Sequence, residues 1–196
     1  LGRGGSDVTA AILGEALGAH AVEIYTDVEG VMAADPKLVP NAKVMDTIFY
    51  DEIFSMAENG ATVLHKRAVE IAMRSNIPLI VKNTMTNSSG TMVTGTKQLC
   101  EREAFYESIP VTAIAHTDGK SLVTLVYSPD SPWISDGEDL FRDLEENNIE
   151  ISMVSILKCS KSFVIDNRQT ERIYNIFDKK VVDYEMQKNC SIITLI

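Results

Sequence analysis

The chain opens on a glycine-rich segment that runs straight into a helix, and this junction limits what can follow it. Leu1-Gly2-Arg3-Gly4-Gly5-Ser6-Asp7 leads into a stretch from Asp7 to Leu17. There Val8, Ala11, Ile12, Glu15 and Ala16 recur at helical spacing, with apolar residues dominating one side. Gly18 stops the helix. Ala21 to Tyr25 (AVEIY) is a short apolar run suited to a buried strand, and Thr26 to Pro40 is a loop rich in Asp, Gly and Pro. Tyr50 to Glu58 and Val63 to Arg74 read as helices broken at Asn59-Gly60. Val63, Ala68, Ile71 and Ala72 share one face of the second. Pro78 to Val81 is another strand-like run, followed by a polar turn from Asn83 to Gly90. Strand and helix alternate, which predicts an α/β layer with parallel strands.

The pattern then changes. Thr94 to Ser108 is polar, holds Gly95 and has the character of a linker. Beyond it, Val111 to Ala115 and Leu122 to Tyr127 are strand-like, and Gly137 to Asn147 is a helix with Leu140, Phe141 and Leu144 on one side. Ile149 to Leu157 and Ser162 to Ile165 are strands. Thr170 to Lys180 is a helix with Ile173, Ile176 and Phe177 inward, and Val181 to Tyr184 and Ser191 to Ile196 are strands again. The order β-α-β-β-α-β from about Leu122 to Met186 is the ferredoxin-like arrangement. Two domains are expected, one over 1–97 and one over 111–196, joined by a linker over 98–110.

Charge and cysteine usage narrow the function classes. A formal charge of −10 argues against a nucleic-acid binder, since phosphate neutralisation needs clustered Lys and Arg. It leaves a nucleotide ligand open. Cys100, Cys159 and Cys190 lie far apart with no C-x-x-C pair, which speaks against a zinc site and suits a reducing cytoplasm. No apolar run is long enough to span a bilayer. The chain lacks an initiator Met and begins inside the glycine loop, so a fragment of a longer protein is expected.

The opening loop is the first candidate site. Adjacent glycines let backbone approach a ligand, and a helix N-terminus favours an anion. Arg3 adds a guanidinium fork for carboxylate or phosphate. Asp7 fits poorly beside phosphate and points to a ligand amino group or a metal. The plainer reading is a Gly-Gly turn with Ser6 or Asp7 capping the helix. Thr26-Asp27-Val28-Glu29-Gly30-Val31 follows the carboxyl end of a strand, where open α/β sheets bind ligands, and Asp27 or Thr26 could meet a base or ribose. The plainer reading there is an Asp-Gly turn. Lys37, after Asp35-Pro36, is a phosphate candidate or a solvated surface lysine. Gly60 to His65 opens a helix, with Asn59 as its cap in the plainer reading. His20, His65 and His116 have no partners at metal-ligand spacing. Neither a Ser-His-Asp arrangement nor a Walker A loop occurs.

In order and spacing, LGRGGSD, EIYTDVEGV, ADPKLVPNAKVMDTI, MAENGATVLHKRAVEIA and GTMVTG resemble the aspartate kinase family over residues 1 to about 96. The remainder, with its VTAIAHT segment, is similar to that family's ACT regulatory domain. The strand from Cys190 onward looks like the start of a second, truncated ACT unit. The resemblance implies the C-terminal part of an amino-acid-kinase (carbamate-kinase-like) domain followed by an ACT domain. It implies ATP-dependent phosphorylation of the side-chain carboxylate of L-aspartate, with Mg²⁺, on the route to lysine, threonine and methionine. Arg3, Ser6 and Asp7 then match aspartate-binding positions. Thr26, Asp27, Met32, Lys37, Thr62 and Val63 match ATP-binding positions. The family's catalytic lysine belongs to a preceding K-F-G-G-T-like motif, so this chain by itself is expected to be inactive.

Three positions depart from the family pattern. Thr62 stands where Lys is common, Lys66 where Pro is common, and Met32 where Tyr is frequent. Lys66, one turn on, is a candidate replacement for the missing cation. Ser128 to Gly137 (SPDSPWISDG) replaces a short Pro-Asp-x-Pro-Gly effector loop, which leaves lysine, threonine and diaminopimelate open as effectors. Pairing of ACT units implies a homo-oligomer. A separate non-catalytic regulatory subunit is the second reading, and the GRGGSD segment counts against it. Another amino-acid kinase, acting on glutamate or acetylglutamate, is the third, and the ACT-like tail counts against that.

Overall fold

The computed structural model describes residues 4–61, 63–95, 111–126, 137–157, 159–180 and 183–196, without the side chains of 137–139 and 179–180. The chain divides into two compact units. The first comprises Leu1–His116 together with Ile193–Ile196, and the second Thr117–Ile192. Arg3, Thr62, the proposed linker and the Trp133 loop lie outside the described residues. Among the described residues, no helix is long and apolar enough to cross a membrane.

The first unit contains α1 (Gly5–Leu17), β1 (Val22–Thr26), β2 (Thr47–Phe49), α2 (Tyr50–Glu58), α3 (Lys66–Ser75), β3 (Leu79–Asn83) and β4 (Thr91–Thr94). Its sheet has the order β1-β3-β4-β2. β1 with β3 and β2 with β4 are parallel, but β3 and β4 are antiparallel. The expected parallel strands are present, within a sheet that is mixed. The reason is the short turn before Thr91, which reverses the chain at Gly90. That residue has φ +72°, and a Cβ there would sit 2.0 Å from the Val81 carbonyl oxygen. Only glycine fits such a position. β2 and β4 are too short for their periodicity to be seen in sequence.

β1 is also not buried on both faces. Val22 and Ile24 enter the core, whereas Glu23 and Tyr25 face outward. On that face Lys82 Nζ lies 2.6 Å from Glu23 Oε1, and the Tyr25 hydroxyl donates to Glu23 Oε2 at 2.8 Å. Hydrogen bonds from Lys82 and then Tyr25 hold the Glu23 carboxyl below its usual range. Inside, Ile24, Ile48, Ile53, Leu64, Val69, Leu79, Val81 and Val93 form one cluster. α3 begins at Lys66 rather than Val63, because His65 caps it, with Nδ1 accepting the Arg67 N–H at 3.3 Å. Asn59 ends α2 instead of capping α3. Its side-chain amide donates to Ser55 O, and its Oδ1 accepts the Thr194 hydroxyl at 3.0 Å.

The second unit carries most of β5 (Ile114–Val126), then α4 (Gly137–Glu146), β6 (Ile151–Leu157), β7 (Ser160–Asp166), α5 (Thr170–Lys180) and β8 (Tyr184–Leu195). The order β6-β7-β5-β8, with antiparallel β5–β7 and β6–β7 pairs, is the ferredoxin-like sheet. Val123, Leu125, Leu140, Leu144, Phe163, Ile165, Ile173 and Phe177 fill its core. Two pairs of expected strands are each one strand. β5 runs through Gly119 at φ +72°, and β8 runs through Asn189 at φ +59°. Glycine and asparagine tolerate this left-handed backbone, so residues that resemble turn signals sit inside a strand without ending it. β8 ends in the first unit, where the Ile196 carbonyl accepts the N–H groups of Thr112 and Ala113 and the Ile196 N–H donates to Ala113 O.

Candidate functional site

A cleft of ≈ 370 Å³ opens beyond the carboxyl end of β1. Thr26, Asp27, Met32, Lys37 and Val63 all line it, so every described residue matched to an ATP position reaches one cavity. They come from separate loops, and each loop is pinned for a physical reason. The Thr26 carbonyl accepts both the backbone N–H and the hydroxyl of Thr84, at 2.9 and 3.0 Å. The Glu29 carboxylate accepts Asn83 Nδ2 at 2.8 Å and the Thr86 hydroxyl at 2.9 Å. These bonds staple the turn after β1 to the turn after β3. The Thr26 hydroxyl donates to Asp27 Oδ1 at 3.1 Å.

The next loop returns along itself. Met32 and Val44 form an antiparallel bridge, Ala33 N–H donates to Lys43 O, and Met45 N–H donates to Val31 O. Gly30 is required at its base, because a Cβ there would lie 2.5 Å from Thr91 Oγ1. Farther out, Asp35 makes the turn that carries Lys37. Its Oδ1 accepts the Lys37 N–H at 2.8 Å, and its carbonyl accepts the N–H groups of Leu38 and Val39. Asp35, Pro36 and Lys37 thus reach the cleft as one stiff unit.

Sequence reasoning missed another part of the wall. Ile114, Ala115 and His116, at the start of β5, line the same cleft. Ile114 N–H donates to Ala33 O at 2.8 Å, which fastens this strand to the loop. No motif signals the contact. The segment reads only as a strand, and its neighbour is chosen by folding.

The opening loop lies against a different loop. The His65 N–H donates to Asp7 Oδ2 at 3.4 Å, and Ser6 Oγ donates to Asp7 Oδ1 at 3.2 Å. Gly4 has φ +75°, and a Cβ on it would meet His65 Cδ2 at 2.4 Å. The close approach at Gly4 is thus to a protein side chain, which accounts for this glycine without a ligand. Asp7 reaches the loop whose Val63, two residues before His65, enters the cleft. Lys66 is absent from the cleft's described lining, and its Nζ lies 3.8 Å from Glu58 Oε1 on the surface. Lys37 is the ammonium group among the described lining residues.

The cleft suits a nucleotide in size and donor set. Its volume falls in the range of small-molecule sites, and apolar Val28, Met32, Val63 and Ile114 adjoin Thr26, Asp27 and Lys37. Residues 1–83 match the model of the amino acid kinase family. Beyond that region, similarity to aspartokinases extends through both units. An aspartokinase of Mycolicibacterium smegmatis is 41% identical over 154 residues, covering 79% of this chain and 35% of that protein. The crystal structure of Clostridium acetobutylicum aspartate kinase superposes with a TM-score of 0.82 at 26% identity, covering 100% of this chain and 46% of that one. E. coli aspartokinase III in complex with aspartate and ADP gives a TM-score of 0.74 at 29% identity, with 100% and 44% covered. The chain spans less than half the length of these relatives.

Proposed function

We propose that this chain is the nucleotide-binding and regulatory part of an aspartate kinase, which transfers the γ-phosphoryl group of ATP to the side-chain carboxylate of L-aspartate. The observation that carries this reading is the convergence of Thr26, Asp27, Met32, Lys37 and Val63 on one cleft. Thr62, between Ala61 and Val63, is assigned to the same nucleotide site. In the transfer, a carboxylate oxygen bonds to the γ-phosphorus as the bond to the ADP oxygen breaks, giving 4-phospho-L-aspartate. Such a step depends on positioning and charge neutralisation more than on covalent chemistry.

Lys37 supplies positive charge toward the phosphates. Mg²⁺ is usually held by one or two carboxylates together with substrate phosphates, and Asp27 and Asp35 in the cleft fit that pattern. Bound there, it would neutralise charge that builds on the phosphate oxygens. Asp7 and Ser6, with Arg3 preceding them in sequence, are assigned to the aspartate. Arg3 pairs with a substrate carboxylate and Asp7 with its ammonium. The Asp7 carboxylate accepts the His65 N–H, which supports an amino-acid half-site beside the loop that carries Val63.

The second unit is assigned as an ACT-type effector domain for lysine, threonine or diaminopimelate, and the end of β8 as the start of a further such unit. β6 is an edge strand with Met153, Val154, Ile156 and Leu157 each at least half exposed, a surface suited to pairing with a second copy. A cytoplasmic site of action follows from the substrates. The test is a hydroxamate-trapping assay on the full-length protein containing this chain, with ATP and aspartate against glutamate. Aspartate-dependent product is expected. Its absence in folded protein removes the reading.

A further inference from the structure

We propose that Ile114 and His116, at the start of β5, are nucleoside-contacting residues that shape the base end of the cleft. The inference rests on the nucleotide reading above and goes beyond it, since neither residue belongs to a loop matched to an ATP position. On a strand, residues two apart share a face, so Ile114 and His116 lie on the more exposed side of β5, while Ala115, also in the cleft lining, is only 3% exposed. Both line the cleft. Ile114 is 42% exposed, and Met32 and Val63 line the same cavity.

Chemistry selects the part of the ligand that meets this wall. A branched alkyl group gains nothing from a hydrated phosphate. It does gain from covering the face of a planar, uncharged ring. Lys37 attracts phosphate oxygens, and Asp27 and Asp35 would meet them through a bound cation, so the phosphates belong with these charged side chains. The base and ribose therefore belong against Ile114, with His116 beside it on the same strand.

The wall is held rigidly enough to discriminate. Ile114 N–H is bonded to Ala33 O at 2.8 Å, and Ala113 and Ile196 exchange bonds one residue earlier. The Thr112 hydroxyl donates to Glu52 Oε1 at 2.7 Å. These anchors use the Ile114 backbone and neighbouring residues, so trimming the Ile114 or His116 side chain leaves them in place.

The experiment titrates ADP into the full-length protein containing this chain and its Ile114→Ala and His116→Ala variants by calorimetry, with circular dichroism to confirm folding. In the wild-type protein, nuclear Overhauser contacts from the Ile114 δ1-methyl to adenine or ribose protons are sought. Contacts of that kind are expected, with ADP bound roughly tenfold more weakly by Ile114→Ala, as loss of a buried apolar side chain predicts. ADP binding by the wild-type protein with no such contacts, and with both variants within about twofold of it, overturns this inference alone. No ADP binding by the folded full-length protein overturns the nucleotide reading as well. The methyl contacts decide the matter even if a variant fails to fold.

Discussion

The hydroxyl of Thr91, fully buried, accepts the backbone N–H of Val31 at 2.8 Å. The same hydroxyl donates to Met45 O at 2.6 Å. One side chain therefore satisfies both legs of the loop that carries Met32 and Lys37. Thr91→Val keeps the shape but strands a buried donor and a buried acceptor. Each such group costs about 1–3 kcal/mol. Urea denaturation should show a loss of that order in the first unit. A smaller loss than about 0.5 kcal/mol would mean that the loop is held by other bonds.

Lys37 is expected to act on charge alone. Lys37→Ala should weaken ADP and GDP by a similar factor, roughly 10-fold or more, the size of a charge-assisted hydrogen bond. Titration of both nucleotides is the check. A selective effect on one base would place Lys37 at the wrong end of the ligand.

Phe163 anchors the core of the second unit. It meets Phe141 and Phe177 edge-on, with ring centroids 6.3 and 6.5 Å away, and it is 1% exposed. Phe163→Ala should cost about 3–5 kcal/mol through lost burial and a cavity. Loss of near-ultraviolet circular dichroism and a lowered Tm would report it. Full retention of Tm would show that the surrounding side chains collapse into the space.

Asp166 predicts how this unit responds to acid. Its carboxylate accepts Arg168 Nε at 2.8 Å, Arg168 Nη2 at 3.0 Å and the Arg168 N–H at 3.0 Å. Hydrogen bonds from the Arg168 side chain, then from its backbone, hold the Asp166 carboxyl well below the carboxylate range. A lowered folded-state pKa contributes stability above the unfolded value, near pH ~4, and that contribution is lost as pH falls through the folded value. Stability should therefore decline below about pH 4, and Asp166→Asn should flatten the decline. The ion pair is largely solvated, with the Arg168 side chain 89% exposed, so the change is modest. Equal acid profiles for the two proteins would assign the decline to other carboxylates.

Much of this protein was legible from local rules. The helices from Tyr50 to Glu58 and from Thr170 to Lys180 begin and end where apolar spacing and breakers put them. The β-α-β-β-α-β order follows from the same signals. Left-handed backbone was harder to read. Gly119 and Asn189 are turn formers by type, yet sheet partners on the chain carry β5 and β8 straight through them.

The candidate site divides along the same line. Sequence by itself determined which loops carry candidate nucleotide residues, because Thr26-Asp27 after a strand and Lys37 after Asp35-Pro36 are local patterns of turn chemistry and charge. Only the tertiary structure decided that these loops share one cleft, that Lys66 turns to Glu58 instead, and that Ile114 and His116 complete the wall. Gly4 marks the limit. Its flexibility reads as room for a ligand, but the His65 ring already occupies that space. A motif specifies what a segment can do, whereas long-range packing and a few backbone bonds such as Ile114 to Ala33 select what it faces.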